Sequence, residues 1–288
     1  MTLSVEASDP ASHPHFFGLV KGLDLRQPIT PADVDAIVRG MDRFAVLLFR
    51  DQRIDDDQQI AFSRNFGDLE FATGDAHQEP NRRLKMEVND VSNLDETNQK
   101  LARDDKRLLL NLGSRHWHTD SSFKETPAKY SLLSGRVIPS AGGNTEFADM
   151  RGAYDDLPAD LKIIADDLLC EHSQTYSRGR LGFTAADLTE AELQRFRPVR
   201  QRLVRRHPVT GRRSLYLSSH AGTIVGWPLA EARVFLDDLT EHATQRQFVY
   251  AHTWRQFDLV MWDNRVTMHR GRRYDSREVR DKIGRAHV

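Results

Sequence analysis

Among 288 residues there is a single cysteine, Cys170, so no disulfide can form within the chain. A chain without disulfides fits a reducing compartment. The flanking "LLCEHS" reads as a strand entering the core, so the thiol is expected to be buried rather than nucleophilic. No run of about 18 apolar residues occurs, and no membrane span is expected. The opening "MTLSVEASDPASHPHFF" has no basic stretch followed by an apolar one, so a signal peptide is not expected and a cytoplasmic location is. Net charge of one sign is lacking too: 41 Lys and Arg against 42 Asp and Glu leave −1. Such a balance provides no strong field to attract nucleic acid or an anionic membrane. Repeats and low-complexity tracts are absent as well.

What is present is the pattern of a globular chain, long enough to bury a full core, with 39% hydrophobic and 29% charged residues. "TPADVDAIVRGMDRF" predicts a helix with Thr30 as N-cap, Pro31 at its first position, and Val34, Ile37, Val38 and Met41 on one stripe. "AVLLFR" (45–50) predicts a buried strand, and "DDDQQIAFSRNFG" a second helix stopped at Gly67. Strands are then expected at "LKMEVNDVSNL", "HWHTDSSF", "KYSLLSGRVI" and "NTEFADM", followed by helical patches around 150–168 and 185–196. "QRLVRRHP" and "RSLYLSS" read as strands joined through "PVTGR". After the amphipathic helix "PLAEARVFLDDLTEHAT" come "QFVYAHTWR", "DLVMWD" and "RVTMHR", with Asp263-Asn264 as a hairpin turn between the last two. Many short strands with helical insertions predict a β-sandwich or jelly roll decorated by helices, as one domain over 1–288, rather than a parallel α/β sheet.

Within this pattern "HWHTDSSF" (116–123) carries chemistry. In a strand, positions two apart share a face, so His118 and Asp120 would project toward one point. His269, in "RVTMHRG", lies 269 − 118 = 151 residues further on. Two imidazoles and one carboxylate, as a close pair and a distant partner, match the facial set that holds non-haem Fe(II) and leaves three coordination positions open. With 12 histidines in the chain, a His-x-Asp pair is weak evidence alone. His116 competes for the ligand role, and zinc would accept the same donors.

The segments "WHTDSSF", "GGNTEFADMR", "YDDLP", "EHATQRQFVYAHTWR", "DLVMWDNR" and "HRGRRYD", with "AFSRNFGDLE" before them, run in one order over nearly the whole chain. In them the chain resembles the taurine dioxygenase / (2,4-dichlorophenoxy)acetate dioxygenase family of Fe(II)- and 2-oxoglutarate-dependent oxygenases, nearest its phenoxyacetate branch. The resemblance implies a mainly β fold with helical insertions, a double-stranded β-helix or jelly roll, with Fe(II) held by His118, Asp120 and His269. It implies that Thr145 and Arg280 hold the distal carboxylate of the cosubstrate 2-oxoglutarate, Arg280 through a forked, charge-assisted contact. Asn93 and His220 would line the substrate pocket, and Trp117 and Trp262 would pack the barrel. The implied reaction uses O₂ to hydroxylate a small anionic substrate. That substrate is an aryloxyalkanoate such as 2,4-dichlorophenoxyacetate, giving a phenol and glyoxylate, or alternatively a sulfonate or alkyl sulfate. A zinc hydrolase on the same ligands and a silent anion-binding jelly roll remain as other classes; homo-oligomerisation is left open.

Two departures from the family pattern stand out. Phenoxyacetate relatives carry a lysine after the "GDLE" segment, where this chain has "FATGDAHQ". In the family a second arginine follows Arg280 by four residues, where this chain has Gly284. The ending "KIGRAHV" resembles the translation of a common sequencing-library adapter, so Lys282 to Val288 are expected to be non-native. The C-terminal strand is then expected to be truncated, with Arg280 beside a frayed end, weak cosubstrate binding and poor activity.

Overall fold

Val46–Phe49 (β3) is apolar at every position and leaves no side for water. In the computed structural model, which describes residues 3–70 and 83–287, it lies inside a six-stranded sheet. The order across that sheet is Ser4–Ala7 (β1), Gly18–Lys21 (β2), β3, Leu259–Asp263 (β12), Tyr130–Val137 (β4) and Asp281–His287 (β14). Among the described strands only β2 and β3 pair in parallel, and the helix Pro31–Phe44 connects them. Thr30 caps that helix as its sequence predicts. Its hydroxyl accepts from the Asp33 N–H, and the Asp33 carboxylate accepts from the Thr30 N–H at 3.0 Å.

A three-stranded sheet, Val249–His252 (β11), Thr145–Asp149 (β5) and Thr267–Gly271 (β13), shares a core with the larger one. Period-two alternation sorts the side chains. Val46, Leu48, Val260, Trp262 and Leu133 meet Phe147 between the sheets, while Leu47, Phe49, Leu259 and Met261 pack under the helices Pro31–Phe44 and Asp56–Ser63. On the far side of the smaller sheet, Ala148 and Met268 join a third cluster with the helix Leu229–Ala243. Ala221–Ile224 (β10), Leu169–His172 (β6) and Val199–Arg202 (β7) form another sheet, and Val204–Arg206 (β8) pairs with Arg213–Leu215 (β9) as "PVTGR" predicts. Cys170 is fully buried in β6, and burial pushes its thiol up to about 12. The described chain is thus mainly β sheet with helices, and none of its helices is long and apolar enough to cross a membrane.

Four expectations need correction. "HWHTDSSF" is not a strand: only His118 makes a β-bridge, and the chain then turns, with Ser121 at φ 55°. "LKMEVNDVSNL" runs as turns and bends, with an isolated bridge between Leu94 and Lys100. Asp263-Asn264 is not a hairpin turn, because β12 and β13 belong to different sheets and the turn carries the chain from one to the other. Finally, Arg280 does not sit at a frayed end. β14 follows it and pairs with β4 from Asp281↔Val137 to His287↔Ser131. Gly284, a poor residue for a regular strand, lies where that register shifts, at φ 65°, and a Cβ there would come within 2.6 Å of Val88 Cβ. Its carbonyl accepts from Gln59 Nε2 at 2.7 Å.

Candidate active site

The backbone brings the two distant histidines together first. The His118 N–H donates to the His269 carbonyl at 3.0 Å, and the His269 N–H to the His118 carbonyl at 2.8 Å. A mutually hydrogen-bonded antiparallel pair sends its two side chains to one side. The rings stand 4.1 Å apart between centroids. The turn after Thr119 brings in the carboxylate of Asp120, with Oδ1 3.7 Å from His118 Nε2 and Oδ2 3.6 Å from His269 Nε2. All three residues are buried, and one ligand atom from each lies within 4.8 Å of the others. Metal bonds to such donors run about 2.0–2.2 Å, so atoms spaced this way can share one ion.

Neighbouring groups fix the donors. His118 Nδ1 is 2.8 Å from the His116 carbonyl, which can only accept; Nδ1 is therefore the donor, and Nε2, on the side of the carboxylate, is the nitrogen that can ligate a metal. His116 thus enters through its backbone, and its ring is not among the three clustered donors. The Thr119 hydroxyl donates to the carbonyls of Leu217 (2.9 Å) and Thr267 (3.2 Å), tying the turn down. Phe147 stacks on the His269 ring at 6.0 Å, and Trp262 packs against it at 4.8 Å.

Asn264 is the supporting residue that sequence reasoning missed, having read it only as a turn. Its Oδ1 accepts from the Asp120 N–H (3.3 Å) and from Trp262 Nε1 (3.1 Å), and its Nδ2 donates to Ser131 Oγ (2.8 Å). The signal was its place inside "DLVMWDNR". Asn264→Ala is expected to weaken metal binding by about 10–100-fold, the usual cost of losing an outer-shell partner. Equilibrium dialysis against ferrous iron checks this; unchanged affinity would remove Asn264 from the site.

Thr145 opens β5 on the same face as Phe147, and its hydroxyl accepts from Trp254 Nε1 at 3.0 Å, keeping its own proton to donate. Lys282 packs against the Trp254 ring. Its ammonium lies 4.0 Å from the Trp254 ring centroid, donates to the Gly143 carbonyl at 3.0 Å, and is close enough to Arg280 to be repelled by it. Arg280 lies half-buried over Tyr274, 5.0 Å from the ring centroid. Asn93 does not line the cavity among the described residues; its neighbours Ser92 and Leu94 do. Asn93 instead donates to the Glu278 carbonyl (2.9 Å) and accepts from the Arg280 N–H (2.9 Å), so it holds Arg280's backbone. His220 does line the cavity, with Nδ1 2.8 Å from Ser177 Oγ. Burial first, and then the charges around it, push its imidazolium well below the ordinary range, so at neutral pH it is a neutral hydrogen-bonding group.

The metal face opens into a cavity of about 360 Å³, walled by His118, Asp120, Phe123, Phe196 and His220. "FATGDAHQ", where the family's lysine is missing, lies outside the described residues.

Residues 7–287 match the family model described as "Taurine catabolism dioxygenase TauD, TfdA family". The alpha-ketoglutarate-dependent 2,4-dichlorophenoxyacetate dioxygenase of Burkholderia sp. (strain RASC) is 46% identical over 263 residues, covering 91% of this chain and 88% of that protein. The (S)-phenoxypropionate/alpha-ketoglutarate-dioxygenase of Sphingobium herbicidovorans is 37% identical over 243 residues, covering 82% and 79%. Among solved structures, that of AAD-2 in complex with Mn(II) and N-oxalylglycine superposes with a TM-score of 0.89 at 51% identity, covering 100% of this chain and 97% of that one.

Proposed function

The chain belongs to the taurine catabolism dioxygenase TauD/TfdA family, and on that premise we propose that it is an Fe(II)- and 2-oxoglutarate-dependent dioxygenase acting on an aryloxyalkanoate such as 2,4-dichlorophenoxyacetate. The observation that carries this reading is the convergence of His118, Asp120 and His269, two neutral nitrogens and one carboxylate, on one buried point beside a cavity. That donor set fits Fe(II). When bound, iron with 2-oxoglutarate and O₂ supplies the oxidising power: the cosubstrate leaves as succinate and CO₂, one oxygen atom goes into succinate and the other into a substrate C–H bond.

The protein's own part is position and exclusion of water. Asp120 supplies the one anionic ligand. Thr145 and Arg280 hold the distal carboxylate of 2-oxoglutarate, the hydroxyl oriented by Trp254 and the arginine's backbone by Asn93. His220 and the aromatic wall receive the substrate. Hydroxylation beside the ether oxygen gives a hemiacetal that breaks down to a phenol and glyoxylate. The two facing sheets that share the Phe147 core are, in this reading, a double-stranded β-helix. A cytoplasmic location belongs to the same proposal, supported by the lone, buried thiol of Cys170. The non-native origin of Lys282 to Val288 also stays a proposal, and re-amplifying the source locus tests it.

Anaerobic addition of Fe(II) and 2-oxoglutarate tests the central claim, through a weak metal-to-ligand charge-transfer band in the visible. Absence of the band, with Zn(II)-dependent ester cleavage in its place, would turn the reading toward a hydrolase. Arg280→Gln is expected to raise the KM for 2-oxoglutarate about 10–100-fold, since a charge-assisted hydrogen bond contributes about 1.5–3 kcal/mol, while metal affinity stays within about threefold. Steady-state kinetics with varied cosubstrate checks this, and an unchanged KM removes Arg280 from the cosubstrate site.

A further inference from the structure

His118 and His269 are fixed by their mutual β-bridge, but Asp120 reaches the metal point from a turn, and a turn has to be held. On one side of Asp120 the Thr119 hydroxyl ties the chain to two carbonyls. On the other stands Ser121, at φ 55°. That region is left-handed, and a residue with a Cβ enters it at a cost that glycine does not meet. Serine stays there only while its surroundings over-determine it. Ser121 is buried and lines the cavity, so its conformation governs both the direction in which the preceding carboxylate leaves the backbone and the wall beside it.

We propose that Glu70 is a positioning residue for the metal: by holding Ser121 in its left-handed conformation, it aims the Asp120 carboxylate at the point between His118 Nε2 and His269 Nε2. The assignment rests on the metal site proposed above. Glu70 Oε2 accepts from the Ser121 hydroxyl at 2.7 Å, across 51 positions of sequence. Glu70 Oε1 pairs with the ammonium of Lys124, and the Lys124 N–H donates to the Ser121 carbonyl at 2.9 Å. One carboxylate thus bridges the two ends of the turn Ser121–Lys124. The core places Glu70 in its turn, since it follows the short helical turn Arg64–Phe66, and Phe66 packs edge-on against Phe62 and Tyr130. The other ties on this segment go to its neighbours. Ser122 Oγ lies 3.0 Å from His172 Nδ1, and Gln201 Nε2 donates to the carbonyls of Ser122 (3.1 Å) and Lys124 (2.9 Å). Among the described residues Glu70 is the side chain that hydrogen-bonds Ser121 itself. It acts through that bond and does not touch the ion.

The test is the ferrous-iron affinity of the full chain, measured by anaerobic equilibrium dialysis. Glu70→Ala is expected to weaken iron binding about 10–100-fold, as the loss of an outer partner of a metal ligand does. Glu70→Gln keeps an acceptor for the Ser121 hydroxyl while removing the charge, and is expected to lose less than about fivefold. The decisive variant is the double change Glu70→Ala with Ser121→Gly. Glycine adopts positive φ without a clamp, so affinity should return to within about threefold of the parent. An iron loss that merely followed from unfolding would not be rescued by glycine. A crystal structure of Glu70→Ala gives a readout that needs no metal, with Ser121 expected to leave the left-handed region. Unchanged affinity in Glu70→Ala, a Glu70→Gln variant as weak as Glu70→Ala, or a double variant without rescue overturns the assignment. A parent chain that takes up no iron defeats the metal reading itself, and the assignment with it. A parent that binds iron beside an indifferent Glu70→Ala defeats the assignment alone.

Discussion

Asp120→Ala is expected to reduce succinate release at least about a thousandfold, equivalent to about 4 kcal/mol of barrier, and to cost the protein its ferrous iron. The reason is charge. An imidazole ligates a metal only in its neutral form, so with His118 and His269 as ligands Asp120 is the one anion in the set of three. Without it a divalent cation would enter a buried site on two neutral nitrogens, with its desolvation uncompensated. The fold should survive, because what the Asp120 segment contributes structurally is its backbone N–H to Asn264 and the Thr119 hydroxyl bonds, which alanine leaves in place. Metal analysis after dialysis, alongside circular dichroism, separates the two effects. A folded Asp120→Ala protein holding iron with wild-type affinity would show that the triad is not the metal site.

Lys282→Met is expected to stabilise the protein by about 1–4 kcal/mol, the range seen when buried charged groups give way to apolar residues of similar volume. Lys282 has no exposed surface, and burial, then repulsion from Arg280, push its ammonium well below the ordinary range, with Asp258 opposing. The unfolded chain, with a lysine near its reference value of about 10.4, therefore binds a proton that the folded chain resists. Stability rises with pH through the interval between the folded and unfolded values, and falls as pH drops through it. The methionine variant should lose that slope as well as gain stability. At roughly 2–4 °C per kcal/mol for a chain of this size, the gain at pH 7 is readable by thermal melts, and it should shrink at pH 9.5. A variant that melts lower, or one with the same pH slope as the parent, would mean that Lys282 is not a buried charge.

Local physics made much of this molecule legible in its sequence. Thr30, Pro31 and the Val34–Met41 stripe describe a capped helix in full, and an apolar run such as Val46–Phe49 has no stable place outside a core. The triad was legible for a different reason: His118-x-Asp120 and a distant histidine fit a facial metal set but are weak evidence among 12 histidines, and the family resemblance singled out His118, Asp120 and His269. How the triad forms was not legible. The strand argument for His118 and Asp120 reached a correct convergence by a wrong route, since the carboxylate arrives through a turn and the histidine through a single bridge to a residue 151 positions away. Pairings of that kind leave no trace in local periodicity, which is also why Asp263-Asn264 looked like a hairpin. Thr145 and Arg280 could be picked out only through the family resemblance, because one hydroxyl and one arginine among many carry no pattern of their own.

The bridge between His118 and His269 also couples the metal to the alignment of β13 along β5, where His269 lies opposite Phe147. A slip of one position would turn His269 away to the helical side and present Met268 or Arg270 in its stead. A chain misaligned in this way could not capture iron, so the cation discriminates between alternative β pairings, and its binding energy is available only to molecules that have aligned correctly.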